Sequence, residues 1–260
     1  MYSATPEAKS AWNAILGWVI ERAGLSWELR DYEAPAPLAT LWARTDLGCA
    51  LMCGLPYSQR RPRPTLIAAP VPSPSRYAGQ PIYFTDIAVR ADAPFARLED
   101  TFGGVVGYTL RDSMSGCIAV RSHLLKYRRA NGGPLYREAV GDLVNARGVI
   151  EALAARRIDV GPLDSYSHDL LKVGDPALAS QVKTIASTQA APMPPFVATA
   201  AISASVLAGL RAALDLAGTA LELSAHRAAL LLERFAVPSD ASYDIFDSVL
   251  NTAERYPDPW

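Results

Sequence analysis

Cysteine and histidine are scarce in this chain of 260 residues, at three each. An odd number of cysteines excludes a disulfide framework that uses them all. Cys49 and Cys53 stand four apart in an apolar run, a spacing that suits neither a zinc site nor a redox pair. With Cys117, they read as small buried hydrophobes. His123, His168 and His226 are scattered, so neither a metal site nor a cofactor is expected. No block of one charge is present. The 25 basic and 26 acidic residues nearly cancel, which makes nucleic acid and anionic membrane poor partners. No apolar run reaches the ~20 residues of a spanning helix. The uncharged stretch from Ala186 to Leu210 is broken by Pro192, Pro194 and Pro195, so the chain reads as soluble, without direct membrane insertion. Met1 to Glu7 has neither the basic nor the apolar segment of an export signal. A signal, if the chain carries one, lies upstream of Met1; the location is periplasmic in that case and cytoplasmic otherwise. Gly-x-Ser-x-Gly, a Walker loop and a dinucleotide fingerprint are all missing, which points away from an enzyme.

What is present is apolar: half of the residues are hydrophobic and a fifth are charged, which excludes disorder as the main state. Thr5-Pro6-Glu7 supplies a cap, a first-turn proline and a first-turn acid, and Trp12, Ile15, Leu16 and Val19 follow at helical spacing. Strands are expected at Trp27–Tyr32, Leu47–Cys53, Leu66–Val71, Ile82–Arg90, Gly103–Tyr108, Ile158–Leu163, Val182–Ser187 and Phe196–Thr199. Leu47–Cys53 is expected to be buried on both faces, with Gly54 to Tyr57 turning out of it. Helices are expected at Pro37–Arg44, near Leu98–Asp100, from Ile118 to Lys126, around Val149, Ile150 and Leu153, and after Asp164 to about Val173. Arg128–Tyr136 reads as a polar loop. Ser203–Leu216, Leu221–Phe235 and Tyr243–Arg255 are helical in pattern. This alternation predicts an α/β fold with mostly parallel sheets flanked by helices.

In such folds ligands bind beyond the carboxyl ends of strands. Three segments end there in small or polar groups: Cys53-Gly54, Ser113-Met114-Ser115-Gly116 and Asp164-Ser165-Tyr166. At the second, a strand turns through hydroxyl residues into a helix whose first N–H groups lack partners. Ser113 and Ser115 either cap those groups or share them with a bound anion or polar ligand. Asp164 likewise reads as a cap or as a ligand group, and Tyr83 as packing on its strand or as a site residue.

The order of these segments resembles the phosphate/phosphonate branch of the periplasmic solute-binding proteins, which have the type 2 two-lobed fold. Ile87-Ala88-Val89-Arg90-Ala91-Asp92-Ala93-Pro94, Leu98-Glu99-Asp100, Gly104-Val105-Val106 and Ser113-Met114-Ser115-Gly116 are similar to the family's "VVRADSP…LxDLxGxxVA…DSxSG". Arg156 to Asp164 is similar to its "xGEADVAxID", Thr188 to Val197 to its "TPPAPGLPxV", and Met52 to Pro56 to its "TCGYP", with Leu55 in place of the tyrosine. The resemblance implies two α/β lobes joined by two crossover strands, near 82–90 and 182–189, with a ligand cleft between the lobes. One lobe is expected to hold residues 1–85 and 189–260, the other residues 86–188.

Carried over by position, Tyr83, Ser113, Ser115 and Asp164 line the cleft. Met114, Gly116, Tyr166 and Gly54 join them as neighbours of those turns. The family's "GSH" turn is replaced by Val144-Asn145-Ala146-Arg147-Gly148. Arg147 then stands either as the substitute anion partner or as a surface arginine. The implied function is a solute-binding component of an ABC-type uptake system, with a small anionic or polar ligand and a membrane component as partners. An enzyme on the same scaffold, of the menaquinone-pathway or pyrimidine-precursor type, and a ligand-sensing domain are the alternatives. The enzyme would have Asp164 as its one catalytic carboxylate.

Overall fold

The computed structural model describes residues 2–32, 37–255 and 260. Along the chain run helices α1 (Pro6–Arg22) and α2 (Leu38–Ala43), strand β1 (Ala50–Leu51), helix α3 (Gly54–Gln59), and strands β2 (Thr65–Pro72), β3 (Ile82–Tyr83), β4 (Thr85–Arg90) and β5 (Val105–Gly107). The middle of the chain continues with α4 (Ala119–Asn131), β6 (Glu138–Val140), α5 (Ala146–Ala154), β7 (Gly161–Asp164), α6 (Ser165–Gly174), α7 (Pro176–Ala179) and β8 (Val182–Ser187). It ends with β9 (Ala191–Pro192), β10 (Phe196–Ala198), α8 (Ala204–Ala217), α9 (Ser224–Ala229), β11 (Leu232–Ala236) and α10 (Ile245–Ala253).

The chain divides into two compact units. Unit 1 holds Met1–Ile82 and Pro192–Asp244, and unit 2 holds Tyr83–Ala191 and Ile245–Trp260. The segment after Asp244 was expected in the first lobe and belongs instead to unit 2. There α10 packs on α4, and the Trp260 carbonyl accepts hydrogen bonds from the N–H groups of Leu135 (2.6 Å) and Tyr136 (3.0 Å). The chain therefore passes between the units three times, not twice.

Unit 1 carries a four-stranded sheet in the order β1-β10-β2-β11. The Thr5 hydroxyl caps α1 by accepting from the Ala8 N–H at 3.2 Å, and α1 buries Ala8, Ala11, Trp12, Ile15 and Val19. Trp12 meets Phe196 of β10 and Phe235 of β11 at 6.0 and 6.3 Å between ring centroids, and these two lie 6.0 Å apart. The three rings pack together within the unit's core. Among the described residues no single helix is long and apolar enough to cross a membrane.

Unit 2 carries the three-stranded sheet β7-β4-β8 and the parallel pair β5-β6, with α5 laying Val149, Ile150 and Leu153 into its interior. Burying each of those side chains contributes roughly 1.5–3 kcal/mol.

Mixed α/β architecture matches the expected fold class, but the sheets are not mostly parallel. β10 runs antiparallel to both β1 and β2, β11 to β2, and β4 to both β7 and β8. One reversed strand in the interior of a sheet turns both of its pairs antiparallel. Helix–strand alternation shows the direction of a segment but not which segments become neighbours.

Other expectations fail locally. Trp27–Tyr32 forms no strand. Its alternation finds no partner edge, and the Trp27 ring instead lies flat on the Gly48 backbone, where a Cβ would sit 2.7 Å from it. Of Leu47–Cys53 only Ala50–Leu51 is strand, and it is half-buried because β1 is the sheet edge. Gly54 starts a helix rather than a turn. α4 extends to Asn131, through the start of the expected loop. The expected helix over Leu221–Phe235 gives way after Ala229 to β11, which pairs with β2.

Candidate functional site

The turn after β5 opens α4 more widely than an ordinary helix start. The N–H groups of Ile118 and Ala119 reach back five residues, to the carbonyls of Ser113 (3.1 Å) and Met114. Such wide turns concentrate at functional positions. The Ser113 hydroxyl accepts from the Gly116 N–H at 3.1 Å, and the Gly116 carbonyl accepts from the Thr109 N–H at 3.0 Å. This last approach requires glycine. A Cβ on residue 116 would sit 1.7 Å from the Thr109 hydroxyl and 2.8 Å from Ser113 Oγ. Met114 is buried beneath the turn, whereas Ser113 and Ser115 are partly exposed.

The turn is fixed from β4: the Thr85 hydroxyl donates to the Ser115 carbonyl at 3.0 Å. Thr85 in turn lies opposite Asp164 in the β4–β7 register. Asp164 caps α6, its Oδ1 accepting from the N–H groups of Tyr166 (3.1 Å) and Ser167 (3.0 Å). Its carboxylate also accepts from the hydroxyls of Ser115 and Ser167. Phe84 and Ser165 close the network reciprocally. The Ser165 N–H donates to the Phe84 carbonyl at 3.0 Å, and the Phe84 N–H donates to the Ser165 hydroxyl at 2.9 Å.

Burial pushes Asp164 up to about 6, and its hydrogen bonds from Ser167, Ser115 and Tyr166 only partly oppose this. Tyr166 is fully buried, and burial together with the neighbouring Asp164 raises its phenol further. It stays protonated. A carboxyl that titrates near 6, against two helix starts, can accept an N–H or O–H donor or share a proton with a weak oxyacid.

The structure thus brings Ser113, Met114, Ser115, Gly116, Asp164 and Tyr166 together on unit 2, with Tyr83 buried one residue before Phe84. Gly54 is buried at the start of α3 in unit 1. Arg147 stands apart from the cluster's contacts. Its Nη2 is 2.7 Å from Asp175 Oδ2; that hydrogen bond comes first in holding the Asp175 carboxyl below its usual range, and the bond from the Leu178 N–H adds to it. The backbone before Arg147 is strained, with Asp142 at φ 57° and Val144 at φ 65°, a region β-branched residues rarely enter. Among the described residues no group of three or more His, Cys, Asp or Glu could hold a metal ion. Of the three cysteines expected to be buried, only Cys117 is; Cys49 and Cys53 are half-buried, and desolvation still pushes the Cys49 thiol up to about 12.

Comparison with known proteins settles the family. A model of the phosphonate-type periplasmic substrate-binding proteins of ABC transporters matches residues 3–243. The chain belongs to this family. This solute-binding protein is similar in fold to a binding-protein component of an ABC phosphonate transporter from Pseudomonas aeruginosa (TM-score 0.79, 18% identity, 97% of this chain and 84% of that one). PhnD1 from Prochlorococcus marinus, solved with methylphosphonate, is similar as well (TM-score 0.77, 12% identity, 96% and 94%). So is a Xanthomonas citri protein bound to chloride ion (TM-score 0.66, 17% identity, 96% and 95%). A search of curated proteins finds no match. At these identities the structures carry the type 2 binding-protein fold, and the family match carries the solute-binding role. The family match stops at Tyr243, so α10 and Trp260 lie outside it.

Sequence reasoning missed Thr85 and Ser167, and named Ser165 only within its segment and not as a site residue. Thr85 carried a usable signal, a hydroxyl residue opening an apolar strand; the two serines had none beyond proximity to Asp164.

Proposed function

We propose that this solute-binding protein holds a small ligand on unit 2 by an acidic head group that keeps one proton, as in a monoprotonated phosphonate or phosphate. Asp164 is the observation that carries the reading. It touches both the Ser115 turn and the first N–H groups of α6, so an incoming anion meets a carboxylate as well as two hydroxyls and a helix start. An ionised Asp164 repels a fully ionised head, whereas a head that donates a proton satisfies it. Ser113 and Ser115 then supply hydroxyls to the remaining oxygens, at the positive end of α4.

The reading contains no catalytic step: the ligand is bound and handed on to the membrane component of an uptake system. The methylphosphonate held by the Prochlorococcus relative supports the class of head group. The missing family histidine leaves that role to the cluster itself, since Arg147 is paired with Asp175.

Thermal unfolding with a panel of ligands tests the proposal. At a hundredfold excess over Kd a bound ligand adds about 2.7 kcal/mol. Methylphosphonate or phosphate is expected to raise Tm at pH 6 more than at pH 8. Methanesulfonate, which has no proton to share, is expected to leave Tm unchanged. A sulfonate shift equal to the phosphonate shift, or no shift with either, overturns the reading.

A further inference from the structure

Asp86 and His168 take no part in the cluster described above, yet they are among the most deeply buried polar residues of the chain, at 0% and 2% exposure. Asp86 sits in β4, the middle strand of its sheet, opposite Leu163 of β7 and Ser187 of β8. Its Oδ1 accepts from the Ser187 hydroxyl at 2.8 Å, and its Oδ2 lies 3.1 Å from His168 Nδ1. His168 Nε2 is buried and makes no hydrogen bond. An imidazolium would therefore bury an N–H without an acceptor, a penalty a neutral ring avoids by leaving only a lone pair there. The geometry selects the neutral ring with Nδ1–H directed at Asp86.

The neighbours of this pair give it meaning. Thr85 and Asp86 are consecutive and so point to opposite faces of β4. On one face Thr85 holds the Ser115 carbonyl; on the other Asp86 holds His168. His168 lies on α6, four residues after the cap Asp164. One strand thus grips both parts of the site, the turn before α4 directly and the start of α6 through the imidazole. A buried polar pair of this kind is a poor device for stability alone, because an apolar pair of similar volume often does as well or better.

We infer that Asp86 and His168 are positioning residues for the ligand site: their hydrogen bond sets where the first turn of α6, and with it Asp164, stands relative to Ser115. The affinity consequence rests on the proposed site; the positional one does not.

The test compares His168→Leu, which has no donor, with His168→Asn, whose amide can place a donor near the position of Nδ1. The readouts are hydrogen exchange of the segments 113–118 and 164–169, Tm, and the affinity for methylphosphonate. The Leu variant is expected to lose exchange protection in both segments and about tenfold in affinity, with Tm lowered because the buried Asp86 loses the His168 donor. The Asn variant is expected to regain both. Wild-type protection in the Leu variant, or failure of Asn to rescue, overturns the inference. Imidazole ¹⁵N spectra of the wild-type protein provide a second measurement that needs no variant. Protonated Nδ1 with bare Nε2 is expected, and the opposite tautomer overturns the assignment. If wild-type protein ignores methylphosphonate, the ligand reading fails, while exchange and the ¹⁵N spectra still decide the positioning role.

Discussion

Thr85 faces Asp164 across the β4–β7 pair and donates its hydroxyl to the Ser115 carbonyl at 3.0 Å. One residue of a central strand thereby fixes the distance between two helix starts that are far apart in sequence. Thr85→Val keeps the shape and removes the donor. It leaves the carbonyl without that partner and is expected to cost roughly 1–3 kcal/mol. Thr85→Ser is expected to restore most of the loss, as measured by denaturant unfolding.

Asp164 makes stability depend on pH with a definite sign. Its folded value, about 6, lies above its ordinary value of 3.8, so between those limits the folded chain binds more of its proton than the unfolded chain does. Its contribution is therefore most favourable below 3.8 and is lost as pH rises through about 6, a change on the order of 3 kcal/mol. Asp164→Asn keeps an acceptor for the α6 N–H groups and cannot titrate. The stability of wild type minus that of the variant is expected to fall between pH 4 and pH 7. A difference that stays flat, or rises, contradicts the assignment.

Gly116→Ala is expected to destabilise the chain by about 1–3 kcal/mol and to abolish ligand-induced stabilisation, because the new methyl group collides with the Thr109 hydroxyl. Adding Thr109→Ala removes that oxygen but leaves the residue 109 Cβ, which is 2.8 Å from the new atom. The double variant is expected to recover part of the loss and not all of it, as read by Tm with and without ligand.

Arg147→Ala tests the substitute anion partner. The Arg147–Asp175 pair is half-exposed, and solvent-screened pairs of this kind add little to stability. Ligand affinity is expected to change less than about threefold. A loss of binding in calorimetry would place the guanidinium in the site after all.

Several parts of this arrangement were legible in the sequence because their causes are local. Thr5-Pro6-Glu7 starts α1, Ser113 and Asp164 act as caps, and Val149, Ile150 and Leu153 form one buried face. Cap chemistry and helical spacing need only neighbouring residues. The joining of Ser115 to Asp164 was not legible, because it depends on the β4–β7 register. The same limit hid β11, whose Leu232–Ala236 becomes a strand only by pairing with β2. Asp86 carried a readable signal that went unused: an acid inside an apolar strand is buried only when paired. His168 follows Asp164 by four residues, which already placed it over the same part of α6.

The residues after Asp244 have a consequence for the order in which the two units can form. Unit 1 waits for β10, α8 and β11 before its sheet is complete, and unit 2 waits for α10 and Trp260. At about 5–20 residues per second of synthesis, the middle of the chain waits several seconds with the surface of α4 that receives α10 uncovered. Unit 1 has all of its residues once Asp244 is made, whereas unit 2, which starts before unit 1 is complete, is finished after it, when α10 arrives on α4 beside Leu124 and Leu125.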